Sequence, residues 1–122
     1  MKKILIIDDD EVFKKTLSAK LELLTYEVIW ASDGEEGLAK SISEKPDLIL
    51  LDMKMPKLDG IGFLKKRQAD QDLPKVPILI TSNISTIDKI SEGVSLGVKG
   101  YIIKSNETLD TIVKEVERIL NP

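Results

Sequence analysis

Acidic, hydroxyl and basic side chains follow four of the apolar segments in this chain. Each stands directly after the segment that precedes it: Asp8 and Asp9, then Asp52, then Thr81 with Ser82, and then Lys104. In an open parallel sheet the carboxyl ends of the strands share one edge, and ligands bind in the crevice there. If the apolar segments are parallel strands, these side chains meet at one site.

The residue types at this site predict phosphoryl chemistry. Asp8, Asp9 and Asp52 would repel one another unless a proton or a cation lies between them. Oxygen ligands of this kind suit Mg²⁺, which also binds phosphate groups. Lys104 would supply positive charge to a transferred phosphoryl group, and Thr81 a hydrogen-bond donor. Because a carboxylate can form an aspartyl phosphate, Asp52 is the predicted nucleophile.

The composition excludes several other chemistries. The 122 residues contain no histidine and no cysteine, which rules out serine–histidine triads, thiolate catalysis and disulfides within them. A net charge of −3 argues against direct binding to nucleic acid. No apolar stretch approaches the roughly 20 residues that span a membrane. We expect one cytoplasmic domain over residues 1–122, without a targeting segment.

The hydrophobic pattern alternates between two periods along the chain. Short apolar runs predict strands at residues 4–7, 28–30, 48–51, 78–80 and 101–103. Apolar residues three or four apart predict helices over residues 13–24, 37–43, 61–67, 84–96 and 109–120. Strands that alternate with helices indicate an α/β fold with a five-stranded parallel sheet.

Some polar residues have simpler structural interpretations. Asp10 is predicted to cap the first helix, and Asn106 to cap the last one, since both types favour that position. The basic cluster of Lys65, Lys66 and Arg67 is predicted to be a solvated helix face.

Four segments carry a resemblance to a known family, namely residues 4–10 (ILIIDDD), 50–60 (LLDMKMPKLDG), 80–82 (ITS) and 100–104 (GYIIK). Together they resemble the receiver domain of two-component response regulators, and the chain is similar to the single-domain chemotaxis response regulator of bacteria. The resemblance implies a flavodoxin-like (βα)5 fold of three layers, with strand order 2-1-3-4-5.

The resemblance also implies roles for the acidic residues. Asp52 corresponds to the phosphoacceptor, which takes its phosphoryl group from a phosphohistidine on a sensor histidine kinase or a histidine phosphotransfer protein. Asp9 and Asp52 would bind Mg²⁺ directly, together with the backbone carbonyl of Lys54. Asp8 would hold a water molecule bound to the metal. Such a domain is not a conventional enzyme, although it assists its own phosphorylation and dephosphorylation.

A switch is the further implication of the resemblance. Thr81 and Tyr101 correspond to the pair that responds to phosphate. Lys54, Ser82 and Asn83 fall at positions that vary in the family and tune the lifetime of the phosphoryl group there. The face formed by the fourth helix, the fifth strand and the fifth helix would then change its affinity for an unknown downstream protein. We expect a monomer or a weak homodimer.

The chain departs from the family at one position beside the site. Proline usually follows the lysine that corresponds to Lys104, often after a cis peptide bond, whereas this chain has Ser105. A cis bond before serine would cost about 2.5–4 kcal/mol. We therefore predict a trans bond or a locally rebuilt loop.

Two alternatives remain open from the sequence. Asp8-x-Asp10 after an apolar run resembles the motif of haloacid-dehalogenase phosphohydrolases, with Asp8 as nucleophile and Asp10 as acid and base. The chain shows no cap region and no acidic pair after Lys104, and this alternative leaves the segment after Asp52 unexplained. The other alternative is an interaction module of the same fold that is not phosphorylated.

Overall fold

The computed structural model describes residues 1–83 and 87–122, in which strands and helices alternate. The elements are β1 (Lys3–Ile7), α1 (Glu11–Leu23), β2 (Glu27–Ala31), α2 (Gly34–Ser43), β3 (Leu48–Leu51), α3 (Gly60–Ala69), β4 (Ile78–Ser82), α4 (Ile87–Ser95), β5 (Gly100–Ile103), a 3₁₀ turn (Lys104–Asn106) and α5 (Leu109–Leu120). The predicted α/β alternation is confirmed. The start of the fourth predicted helix, at residues 84–86, lies outside the described residues.

The five strands form one parallel sheet in the order β2-β1-β3-β4-β5. This is the strand order implied by the family resemblance. Every residue of β3 and β4 is buried, because helices cover the sheet on both faces. Central strands of such sheets are apolar on both sides, which explains the uninterrupted run of Leu and Ile in β3.

Two apolar cores lie on opposite faces of the sheet. On one face, α1 and α5 pack with Leu17, Leu21, Ile112 and Val116 against the strands. On the other face, α3 contributes Ile61, Phe63 and Leu64, and α2 packs alongside. In the part of the chain that the structure describes, no helix has both the length and the apolar character needed to cross a bilayer.

Four helices begin at a residue whose side chain accepts a hydrogen bond from the first turn. These N-caps are Asp10, Asp33, Asp59 and Thr108. The predicted cap at Asp10 is confirmed, and its carboxylate accepts from the Phe13 N–H over 3.1 Å. The predicted cap at Asn106 is wrong. Asn106 is the last residue of the 3₁₀ turn before α5. The N-cap of α5 is Thr108, two residues later.

Arg67 is buried, contrary to the prediction that the basic cluster is a solvated face. Its guanidinium donates to the carbonyl and hydroxyl oxygens of Ser41 over 3.3 and 2.9 Å, and to the Pro74 carbonyl over 2.9 Å. Burial lowers the pKa of this guanidinium. Arg67 therefore ties α2, α3 and the segment before β4 together, while Lys65 and Lys66 are exposed.

Replacing Arg67 with alanine should lower the free energy of unfolding by about 2–4 kcal/mol, because three oxygens lose their donor and a cavity forms. Urea denaturation followed by the fluorescence of Trp30, the single tryptophan, measures the change. Lys66→Ala, on the exposed side of the same helix, is the matched control and should change stability by less than about 0.5 kcal/mol. Equal losses in the two variants would contradict the role given to Arg67.

Candidate functional site

Two backbone hydrogen bonds carry the sheet ladder one residue beyond its central strands. The Asp8 N–H donates to the Ala31 carbonyl over 3.0 Å, and the Asp52 N–H donates to the Ile7 carbonyl over 2.9 Å. Because β1 and β3 are neighbours, both residues leave the sheet at the same carboxyl edge. The sheet itself therefore places Asp8 beside Asp52, as the sequence predicts.

Asp8, Asp9 and Asp52 form one acidic cluster. Each offers a carboxylate oxygen, and these three oxygens all lie within 4.8 Å of one another. Asp8 is completely buried, Asp52 is 7% exposed, and Asp9 is exposed. The cluster therefore opens to solvent on the side of Asp9. Three carboxylates at this spacing fit a hard divalent cation that keeps part of its water shell.

The loop after Asp52 closes tightly against the start of α3. The Gly60 N–H donates to the Met53 carbonyl over 2.9 Å, and a Cβ at Gly60 would lie 2.7 Å from the Asp52 carbonyl oxygen. Only glycine fits this approach without displacing the backbone of Asp52. Lys54 lies in this loop with an exposed side chain, and its carbonyl as a metal ligand stays a prediction.

Lys104 reaches the acidic cluster through Asp8. Its Nζ atom lies 2.5 Å from a carboxylate oxygen of Asp8 and 4.2 Å from the centre of the Phe13 ring. The Lys104 side chain is only 13% exposed, so the ion pair and the cation–π contact form in a poorly hydrated place. No peptide bond in the described residues is cis, and the prediction of a trans bond before Ser105 is confirmed.

Burial dominates the electrostatics of the two inner carboxyl groups. Desolvation raises the pKa of Asp8, and the charge of Asp9 adds to it, whereas the hydrogen bonds from Lys104 and the Asp10 N–H act in the opposite direction. Lys104 thus supplies the main compensation for a carboxylate that water does not reach. A buried carboxylate left without such a partner would favour its protonated form.

Desolvation and the nearby charge of Asp8 raise the pKa of Asp52 to about 6. Lys104, the Ser82 hydroxyl and the Met53 N–H lower it in part, the last through a 2.8 Å bond. Without a cation, Asp52 is therefore partly protonated near pH 6. A divalent cation in the cluster would favour the ionised carboxylate, which is the form that can act as a ligand or a nucleophile.

The hydroxyl beside Asp52 belongs to Ser82, for which the sequence implied a position that tunes phosphoryl lifetime and not the hydrogen-bond donor itself. Ser82 is hydrogen-bonded to the Asp52 carboxylate and to the hydroxyl of Tyr101. Its side chain is buried. A hydroxyl group can donate to a carboxylate while it accepts from a phenol, so Ser82 links Asp52 to Tyr101 on β5.

The hydroxyl that is hydrogen-bonded to Asp52 in the described residues is that of Ser82, and not that of Thr81, the residue predicted for this position. The partner of Thr81 in the β4–β5 register is Ile102, which belongs with Leu79 to the core under α1 and α5. Successive side chains of a strand point to opposite faces, so Ser82 shares a face with Ile80 instead. The misplacement arose because the strand was predicted to end at Ile80, whereas β4 continues to Ser82.

Asp10 does not join the acidic cluster as an acid or base. Its carboxylate caps α1 through the Phe13 N–H, and its own N–H donates to Asp8 over 2.9 Å. Both bonds serve local structure. The geometry therefore gives no support to a phosphohydrolase mechanism that requires a mobile proton at Asp10.

Comparison with known proteins identifies the family of this chain. The family model of the response regulator receiver domain matches residues 4–117. The chain is 47% identical over 104 residues to the alkaline phosphatase synthesis transcriptional regulatory protein PhoP of Bacillus subtilis, covering 84% of this chain and 42% of that protein. A probable transcriptional regulator ycf27 of Guillardia theta is 38% identical over 121 residues, with 98% and 46% covered. The chain thus spans about half the length of these relatives.

Solved structures show the same architecture over nearly the whole chain. The chemotaxis response regulator CheY4 of Vibrio cholerae superposes with a TM-score of 0.87 and is 31% identical, with 98% of each chain covered. A CheY-like receiver domain protein of Methanospirillum hungatei gives a TM-score of 0.90 at 27% identity, with 99% of this chain and 94% of the other covered. This chain belongs to the family of response regulator receiver domains of two-component signalling.

Proposed function

We propose that this chain acts in a phosphorelay by accepting a phosphoryl group on Asp52 in a Mg²⁺-dependent reaction. One observation carries the proposal: the Asp52 carboxylate lies within 4.8 Å of those of Asp8 and Asp9 and beside the hydroxyl of Ser82. The 122 residues contain no histidine. The phosphohistidine donor therefore lies outside them, on a sensor histidine kinase or a histidine phosphotransfer protein, and we infer a cytoplasmic location from that partner.

The transfer moves a phosphoryl group from nitrogen to oxygen. An Asp52 carboxylate oxygen forms a bond to phosphorus while the bond between phosphorus and the donor imidazole breaks. The imidazole leaves with the bonding electrons and takes up a proton from solvent. The Lys104 ammonium and the Ser82 hydroxyl stand where the negative charge of the phosphoryl oxygens develops, and both would stabilise that charge.

The acidic cluster suits the metal that this family uses. Asp9 and Asp52 would hold Mg²⁺ directly together with the carbonyl of Lys54, and Asp8 would bind one of its waters. The ion neutralises charge on phosphoryl oxygens when bound. Exposure of Asp9 leaves a side open for water and for the incoming phosphoryl group. The same open side admits the water that later hydrolyses the acyl phosphate.

The surface of α4, β5 and α5 would transmit the signal to a downstream protein. Tyr101 lies on β5 and is hydrogen-bonded to Ser82, so a phosphoryl group that attracts the Ser82 hydroxyl would weaken that bond. Displacement of the Tyr101 ring would change the surface seen by a downstream protein. Ser82 and Tyr101 replace the pair of Thr81 and Tyr101 expected from the sequence.

Incubation with Mg²⁺ and acetyl phosphate should attach one phosphoryl group to Asp52 that is labile to acid, base and hydroxylamine, as an acyl phosphate is. Intact mass and peptide mapping after borohydride reduction locate it. Asp52→Asn should remove the label, and Asp72→Asn, an exposed acid away from the cluster, should keep it. A label on Asp8 with turnover of phosphate esters would support the phosphohydrolase alternative, and absence of any label would support the interaction module.

Asp52→Asn should also raise the stability of the metal-free protein at pH 7.5 by about 1–3 kcal/mol. Folding raises the pKa of Asp52 from 3.8 to about 6, so the folded state binds its proton more tightly than the unfolded state does. Stability is therefore lost as pH rises from about 4 through about 6, and the advantage of the variant should vanish near pH 4. Urea unfolding in EDTA at several pH values measures it.

Added Mg²⁺ gives the internal control for that pH dependence. A ligand that binds only the folded state stabilises it, so Mg²⁺ should stabilise the wild type more than Asp52→Asn and narrow the difference at pH 7.5. A constant difference across pH values and metal concentrations would contradict the electrostatic origin.

Ser82→Ala should slow phosphorylation by acetyl phosphate roughly three- to tenfold, the effect of losing one hydrogen-bond donor to developing charge. Thr81→Val, which removes a hydroxyl from the preceding residue without a change in shape, should stay within about twofold of the wild type. Stopped assays under saturating Mg²⁺ give both rates. A larger defect in the Thr81 variant would restore the assignment made from the sequence.

A further inference from the structure

The turn that carries Lys104 is joined to the end of β4 by a hydrogen bond that proline could not make. The Ser105 N–H donates to the side-chain oxygen Oδ1 of Asn83 over 3.0 Å. Asn83 follows directly after β4, and Ser105 is the middle residue of the 3₁₀ turn. Proline lacks a backbone N–H, so serine at position 105 creates the donor that this contact requires.

Lys104 stands at the point where β5 has already ended. Its backbone lies in the 3₁₀ turn, and the Glu107 N–H reaches its carbonyl only over 3.4 Å. The ammonium group, by contrast, is fixed at 2.5 Å from Asp8 and is stacked on Phe13. Contacts with Asp8 and Phe13 thus hold the ammonium end of the Lys104 side chain, and the hydrogen bond between Ser105 and Asn83 holds the adjoining backbone.

Asn83, which accepts the hydrogen bond from Ser105, is the neighbour of Ser82 in the chain. Ser82 is hydrogen-bonded to the Asp52 carboxylate. One dipeptide, Ser82-Asn83, therefore touches the acidic cluster with its first side chain and the Lys104 turn with its second. The hydroxyl and the ammonium that face Asp52 share a common support.

We propose that Asn83 is a positioning residue, whose carboxamide fixes the Lys104–Ser105 turn against β4 and so sets the place of the Lys104 ammonium at the acidic cluster. The contribution of this placement to phosphoryl transfer rests on the proposed function. The placement itself is a property of the folded protein and can be measured without any phosphoryl donor. Asn83 also couples Lys104 to Ser82, because it adjoins Ser82 in the chain and its side chain holds the turn of Lys104 and Ser105.

Three substitutions test this role. Asn83→Leu keeps the shape of the side chain and removes the acceptor, and Asn83→Asp keeps the acceptor oxygen. Asn106→Ala is the matched control, because Asn106 is an exposed carboxamide in the same turn. Asn83 is itself exposed, and the dispersion of the amide NMR spectrum verifies that each variant is folded.

The first measurement needs no phosphorylation. Asn83→Leu should increase hydrogen exchange of the Ser105 amide by about three- to tenfold, the range for loss of one hydrogen bond, and should shift the Nζ resonance of Lys104. Asn83→Asp should restore the protection of the Ser105 amide, and Asn106→Ala should match the wild type. Unchanged Lys104 resonances in Asn83→Leu, or no restoration by Asn83→Asp, would overturn the proposal.

The second measurement separates positioning from metal binding. Asn83→Leu should lower the maximal rate of phosphorylation by acetyl phosphate about three- to tenfold, and Mg²⁺ affinity should stay within twofold of the wild type. A wild-type rate in this variant would overturn the link to transfer. If the wild-type protein accepts no phosphoryl group, the proposed function fails, and the Ser105 exchange and Lys104 resonances still decide the role of Asn83.

Discussion

Close approach of like charges is the constraint on which the rest of this structure depends. The sheet ladder places the carboxylates of Asp8 and Asp52 at one edge, and Asp9 brings a third within 4.8 Å. Such a cluster is unfavourable in a folded protein unless positive charge or protons compensate it. The surroundings answer that need: Lys104 pairs with Asp8, and desolvation holds part of the Asp52 population protonated near pH 6. The negative charge that these groups leave uncompensated would favour binding of a divalent cation at the site.

The same electrostatics distinguish two carboxylates that look alike in the sequence. Asp8 is fully buried and already carries an ammonium and the Asp10 N–H, so its oxygens are committed to local partners. Asp52 keeps slight exposure, accepts hydrogen bonds from two neutral donors, the Met53 N–H and the Ser82 hydroxyl, and feels Lys104 through its charge rather than through a hydrogen bond. An oxygen that is less fully neutralised is the better nucleophile. This contrast favours Asp52 over Asp8 as the phosphoacceptor on physical grounds that do not depend on the family resemblance.

The sequence predicted the features that depend on where strands end, and it did not predict those that depend on the direction of a side chain. The five strands, the parallel sheet and the placing of Asp8 at the edge follow from apolar runs and the residues after them; the strand order came from the family resemblance. The hydroxyl was assigned to Thr81 because the apolar run stops at Ile80, whereas hydrogen bonding extends β4 to Ser82. A one-residue error moves a side chain to the other face of a sheet. Burial of Arg67 was equally hard to predict, since two of its three partners are backbone carbonyls, which no side-chain pattern encodes, and the third is the distant Ser41 hydroxyl.

The Ser82 hydroxyl offers a route by which a change of charge at Asp52 could affect Tyr101 on β5. A hydroxyl has one proton to donate, and in the unmodified protein its two contacts are the Asp52 carboxylate and the Tyr101 hydroxyl. A phosphoryl group on Asp52 would carry more charge and more acceptor oxygens than the free carboxylate, so it would attract the Ser82 hydroxyl more strongly. Movement of the Ser82 oxygen toward the phosphoryl group would lengthen its contact with Tyr101. Because Tyr101 is only partly buried, its ring can leave this contact at a lower desolvation cost than a core residue would incur, and the two arrangements can therefore lie close in free energy.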